Sequence, residues 1–146
     1  MDLSLVIPLY NESESLDELN KSIISVLHKT NIKYELIYVD DGSIDNSWKT
    51  LNKISQKNPK IYACRFQRNY GKSMALSAGF KKCNGKIVIT MDADLQDDPN
   101  EILSLYKMVD KNNYDIVSGW KKKRYDSIIF KNIPSKLFNW AARKAS

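Results

Sequence analysis

The sequence predicts an α/β fold, a mostly parallel sheet with helices on both faces. Two observations carry this expectation. Short apolar runs of strand length alternate with segments whose apolar residues recur at helical spacing. Polar clusters follow directly on the first, second and fourth of those runs. Sheets of this kind bind ligands at such strand ends, where the strand order reverses. A chain of 146 residues, 42% apolar and 27% charged, is enough for one domain with a buried core. That composition excludes a disordered tail, a collagen-like fibre and a disulfide-stapled miniprotein.

The elements are expected in this order. Residues 3–7 form a first strand stopped by Pro8. Residues 13–29 place Leu16, Leu19, Ile23, Val26 and Leu27 on one helical face. Residues 34–39 form a second strand, ended by Asp40-Asp41-Gly42-Ser43, and Asp45 caps a helix over 46–57. A third strand covers 61–66 and a helix 71–83, before Gly85 breaks the pattern. A fourth strand over 86–91, a helix over 99–112 and a fifth strand over 115–118 follow. Pro134 suits the first turn of a last helix, 134–145.

No apolar run reaches the ~20 residues of a membrane-spanning helix, and no basic-then-apolar leader opens the chain. A cytoplasmic protein is the expectation. Cys64 and Cys83 form no C-x-x-C pair and read as reduced, buried thiols. His28, the single histidine, reads as a solvated helix residue, which leaves no histidine-rich zinc site.

The acidic strand ends carry the chemistry. Met91-Asp92-Ala93-Asp94-Leu95-Gln96-Asp97-Asp98 closes the fourth strand. Asp92 and Asp94, one residue apart in an extended segment, point to the same side. Converging carboxylates call for a cation, and hard oxygen ligands suit Mg²⁺ or Mn²⁺ bridging to phosphates, with Gln96 as a further oxygen. The same run also reads as a helix-capping loop before Pro99. Asp40, at the end of the second strand, is placed to accept hydrogen bonds from a nucleobase or ribose, and Gly42 permits a turn with positive φ. Pro8, Tyr10 and Glu12 offer an aromatic face and an acid after the first strand. Arg68 and Lys72 precede a helix whose N-terminus can aim backbone N–H groups at phosphate. Neither a G-x-x-x-x-G-K-[ST] loop nor a G-x-G-x-x-G fingerprint is present.

Together these strings resemble the family-2 glycosyltransferases of nucleotide-diphospho-sugar-binding GT-A fold. The matches are Val6-Ile-Pro-Leu-Tyr-Asn-Glu12, Val39-Asp-Asp-Gly-Ser43 with Asp45, Arg68-Asn-Tyr-Gly-Lys72 with Ala75 and Gly79, and Met91-Asp-Ala-Asp-Leu-Gln-Asp97. The last two strings look most like the polyprenyl-phosphate branch, which includes dolichyl-phosphate mannose synthases and undecaprenyl-phosphate sugar transferases. The resemblance implies Pro8, Tyr10, Glu12 and Asp40 at the nucleoside, and Arg68 and Lys72 near the pyrophosphate. It implies Asp92, Asp94 and Gln96 at the ribose, metal and diphosphate, with Asp92, Asp94 and Arg68 as the catalytic group. Lys121 and Arg124 would hold the acceptor phosphate. Members of this family continue further on the acceptor side, so the resemblance covers the donor-binding half of a longer enzyme.

Net charge is +6, and residues 121–146 hold eight basic side chains and one acidic one. The expected division is a nucleotide-sugar-binding catalytic domain over 1–120 and a basic amphipathic segment over 121–146. The segment would face the acceptor and an anionic membrane surface, with the protein peripheral at the inner face of the membrane. The implied reaction is inverting transfer from a nucleotide-diphospho-sugar to a polyprenyl phosphate. Two other readings remain open. One keeps the fold with a saccharide hydroxyl as acceptor. The other is a non-catalytic basic module for membranes or nucleic acid, but no nucleic-acid motif supports it.

Overall fold

The computed structural model describes residues 1–112 and 114–119. The expected helix over 134–145, and Lys121 and Arg124 with it, lie outside the described residues.

The elements alternate as the sequence pattern requires: β1 (Leu3–Leu9), α1 (Leu16–Leu27), β2 (Tyr34–Asp40), α2 (Ser47–Lys57), β3 (Ile61–Arg65), α3 (Lys72–Phe80), β4 (Ile87–Thr90) and α4 (Glu101–Asn112). All pairings are parallel and the strand order is β3-β2-β1-β4. The chain winds outward from β1 to β3, then crosses to the other side of β1 to lay down β4. Strand order therefore reverses at β1, which puts the ligand crevice of such a sheet at the β1 carboxyl end.

β1 is buried along its whole length, as a strand covered on both faces must be. Leu3, Leu5, Ile7 and Leu9 join the larger core, with Leu16, Leu19, Ile23 and Leu27 of α1, Leu51 and Ile54 of α2, and Ile102 of α4. Val6, Ile37 and Val39 point the other way, onto Ala75 of α3. Three helices thus cover one face and α3 the other. Gly79 lets α3 approach closely, since a Cβ there would lie 2.4 Å from the Val6 side chain.

Three local expectations change. α2 begins at Ser47 rather than 46, and its N-cap is Asn46, which makes no side-chain cap bond. Asp45 works one residue earlier: its Oδ1 accepts the Ser47 N–H at 2.9 Å, a turn closed by the side chain. β4 stops at Thr90, so the acidic run after it is a loop, with Leu95 at φ 60°. The fifth strand does not form. Residues 114–119 have no regular structure and Ile116 is 88% exposed. Two apolar residues, Ile116 and Val117, give that segment too little surface to bury on both faces of a sheet.

His28 is the exposed C-cap of α1, edge-on to Tyr34. Cys64 and Cys83 are free, half-buried thiols, and burial pushes both up. No helix among the described residues is long and apolar enough to cross a membrane.

Candidate functional site

Four loops meet beyond the strand carboxyl ends, and backbone N–H groups bonded to side chains fix the first three together. The loop after β1 is fastened to the loop after β2. Asn11 N–H donates to Ser43 Oγ (2.9 Å), Ile44 N–H donates to Asn11 Oδ1 (2.9 Å), and Glu12 N–H donates to Ser47 Oγ (2.8 Å). Asn11 sits at φ 57°, a left-handed conformation that asparagine tolerates.

The loop after β2 in turn holds the loop before α3. Both oxygens of Asp41 accept backbone N–H groups, Tyr70 at 2.8 Å and Gly71 at 2.9 Å. Gly42, at φ 72°, lies directly under Arg68, and a Cβ there would stand 2.3 Å from the Arg68 carbonyl carbon. Only glycine fits that approach.

The loop after β4 closes on itself. Asp92 N–H donates to Asp97 Oδ2 (3.1 Å) and Gln96 N–H donates to Asp94 Oδ1 (3.1 Å). From α3, Lys72 Nζ reaches Asp92 Oδ1 at 2.5 Å.

A cavity of about 270 Å³ lies at this junction, lined by Pro8, Tyr10, Glu12, Asp41, Lys72, Asp92 and Asp94 among others. Six of the residues named from sequence are therefore brought to one cavity: Pro8, Tyr10, Glu12, Lys72, Asp92 and Asp94. Tyr10 keeps 41% of its surface exposed, a face open for stacking. The acids repel one another. Burial raises the Glu12 carboxyl, the Ser15 hydroxyl partly offsets this, and Asp94, Asp45 and Asp92 raise it further. Burial also pushes the Asp45 carboxyl up, but hydrogen bonds from Ser47 and Ser13 outweigh it and bring the group down to about 2.

Asp40, Arg68 and Gln96 are placed elsewhere. Asp40 is fully buried, accepts the Ser43 N–H at 2.9 Å and pairs with Arg65 Nε at 3.3 Å. It remains inside the sheet, opposite Leu9, and the next residue, Asp41, lines the cavity instead. The signal was available: side chains alternate along a strand, so one residue of register decides which carboxylate faces the rim. Arg68 lies just outside, exposed, with its guanidinium 5.0 Å from the centre of the Tyr70 ring. Gln96 lines a second, larger groove of about 1250 Å³ between β4, α4 and residues 115–119. Lys72 and Asp92 border both spaces. Asn69, which also lines the smaller cavity, belongs to the Arg68-Asn-Tyr-Gly-Lys72 string, but the string assigns it no role of its own.

Comparison with known proteins places this geometry. The model of Glycosyl transferase family 2 matches residues 4–144. The undecaprenyl-phosphate 4-deoxy-4-formamido-L-arabinose transferase of Pseudomonas fluorescens is 41% identical over 145 residues, which is 99% of this chain and 42% of that protein. The dodecaprenyl-phosphate galacturonate synthase of Rhizobium johnstonii is 33% identical over 141 residues, covering 96% of this chain and 42% of its own. The chain thus spans about two-fifths of the length of these relatives. Among solved structures, S. aureus TarS in complex with UDP-GlcNAc superposes with a TM-score of 0.63 at 22% identity, over 90% of this chain and 38% of that one. The mannosyltransferase PcManGT from Pyrobaculum calidifontis, in complex with GDP-Man and Mn²⁺, gives 0.60 at 20%, over 73% and 32%. These two likenesses establish the GT-A fold. With the family match covering nearly every residue, the chain belongs to glycosyl transferase family 2.

Proposed function

We propose that this chain binds the donor in an enzyme that moves a sugar from a nucleotide-diphospho-sugar to a polyprenyl phosphate. One observation carries the donor half of this reading: a single cavity at the strand-order reversal gathers an aromatic face, acids and a lysine at a helix N-terminus. The names of the relatives support the acceptor half, since those proteins act on undecaprenyl or dodecaprenyl phosphate.

In this reading Pro8 and Tyr10 line the nucleoside end, with Glu12 and Asp41 as acceptors for base and ribose groups. The first turn of α3 presents backbone N–H groups and the Lys72 ammonium to the diphosphate. Arg68 sits close enough along the same loop to add a second positive charge.

The acidic side fits a divalent cation. Asp92 and Asp94 line the cavity together and add to the field that raises Glu12. Among the described residues no group of three or more His, Cys, Asp or Glu is placed to hold an ion alone. Two carboxylates are a donor set that Mg²⁺ or Mn²⁺ can use, since these ions take one or two carboxylates and complete their shell with water and substrate phosphates. Asp92 and Asp94 would hold it. A bound cation stabilises negative charge on the leaving diphosphate. Gln96, on the side of the larger groove, is left with a role in shaping the loop through its N–H to Asp94.

The reaction proposed is inverting displacement at the anomeric carbon. A lipid phosphate is already anionic at pH 7, so attack needs no strong general base from the chain, whereas a saccharide hydroxyl would need one within ~3 Å. The basic run Lys121–Arg124 and the cationic, aromatic segment after it would meet that phosphate and an anionic membrane surface.

Product analysis tests the acceptor. The full-length protein is incubated with radiolabelled nucleotide-sugars and either undecaprenyl phosphate or oligosaccharides. Label extracted into the organic phase only with the lipid supports the proposal. Label on the oligosaccharide alone replaces it with the hydroxyl reading.

A further inference from the structure

We propose that Lys72 is the built-in counter-ion of the acidic loop. Its ammonium neutralises Asp92 while the donor site is empty and moves to the donor diphosphate when a divalent cation takes that carboxylate. Lys72 would then be a competitor of the cation for Asp92 as well as a ligand of the anion. The proposal rests on the cation-assisted donor reading above.

Among the described residues two ion pairs form, and their settings differ. Arg65–Asp40 has a fully buried carboxylate, and Arg65 Nη2 is also fixed to the Ser43 carbonyl oxygen at 2.6 Å. That pair is structural. Lys72–Asp92 lies at the boundary of the two open spaces, with the lysine side chain 59% and the aspartate 33% exposed. Exposed pairs of this kind contribute little to folding, so stability does not explain its presence.

The root of Lys72 is rigid and its head is not. Lys72 is the first residue of α3 and follows Gly71 at φ 94°, whose N–H is held by Asp41. Asp41 therefore fixes where the lysine leaves the backbone. Beyond that point a four-carbon stem carries a compact charge with rotatable donors. From one fixed root the ammonium can serve the carboxylate or an anion in the adjoining cavity.

The electrostatics require such a charge. Asp92, Asp94 and Glu12 line one cavity. The ammonium sits on Asp92 Oδ1, so a cation taking that carboxylate meets a like charge a few ångströms away, and lysine and cation compete. A diphosphate draws Lys72 away and favours the cation, and the cation releases Lys72 for the diphosphate. By linkage, each ligand must strengthen binding of the other.

The test uses probes that require no knowledge of the sugar or base. Mn²⁺ binding is followed by electron paramagnetic resonance of the free ion, alone and with inorganic pyrophosphate. It is measured on the wild-type chain, Lys72→Gln, Lys72→Arg and Asp94→Ala. Lys72→Gln removes one positive charge a few ångströms from the ion, so Mn²⁺ alone should bind on the order of tenfold more tightly. Pyrophosphate should bind Lys72→Gln less tightly, and its enhancement of Mn²⁺ affinity should shrink. Lys72→Arg, which keeps the charge, should stay near wild type. Equal Mn²⁺ affinity in wild type and Lys72→Gln, with loss in Asp94→Ala, overturns the counter-ion role and leaves the cation site standing. No Mn²⁺ binding in any form, with or without pyrophosphate, overturns both.

Discussion

Asp45 shows how a single side chain organises the rim of the cavity. Its two oxygens accept the Ser47 and Ser13 N–H groups at 2.9 and 3.2 Å, joining the start of α2 to the loop before α1. Asp45→Ala should cost about 1 kcal/mol, the usual scale for losing such a helix-start acceptor. The pH dependence has a definite sign. The folded carboxyl lies at about 2, below its ordinary 3.8, so folding favours the charged form. Its contribution is complete above about pH 4 and disappears as pH falls through 2. Urea unfolding of wild type and Asp45→Ala should therefore differ at pH 6 and converge near pH 2. A constant difference across that range would show that the bonds do not depend on the charge.

At the scale of elements, the loops after β1, β2 and β3 depend on one another. The clearest joint is Gly42, where a left-handed turn passes beneath the backbone of Arg68. Gly42→Ala places a methyl group against a carbonyl carbon and imposes a strained φ. A loss of roughly 2 kcal/mol is expected, with weaker nucleotide binding because the Arg68–Lys72 segment must shift. Melting temperature and nucleoside-diphosphate affinity should fall together. This joint was half-legible in the sequence. The Asp-Asp-Gly-Ser string announces a turn, and the turn forms. What it packs against is a contact between loops 26 residues apart in sequence, which no local pattern reports. Asp40 and Asp41 were separable in principle, since adjacent strand residues face opposite ways, and the structure keeps Asp40 inside the sheet while Asp41 lines the cavity. An extended segment is the premise for Asp92 and Asp94 facing one side, and the run after β4 is instead a loop with Leu95 in the left-handed region.

At the scale of the molecule, the alternation of apolar runs was enough for the parallel sheet, since β1 and β2 are buried on both faces and read as continuous runs. The fifth strand was not legible, because two apolar residues cannot indicate whether a sheet edge will accept them. The two ends of the sheet also separate stability from function. At the end remote from the cavity, Ser4 Oγ donates to Glu35 Oε1 (2.6 Å) and accepts the Gly85 N–H (2.8 Å). Ser4→Ala leaves that part-buried N–H without its partner and should cost about 1 kcal/mol. Nucleotide affinity measured well below the melting temperature should not change.

We propose that the cavity beyond β1, β2 and β4 holds a nucleotide diphosphate, with a divalent cation at Asp92 and Asp94. Isothermal titration of the chain with UDP, GDP and their sugar conjugates tests it most directly, with Mn²⁺, with chelator, and in Asp94→Ala. Saturable binding of one nucleotide class is expected with Mn²⁺, and a loss of roughly tenfold or more with chelator and in Asp94→Ala. Binding of equal strength in all three conditions, or no binding of any nucleotide with Mn²⁺ present, would contradict it.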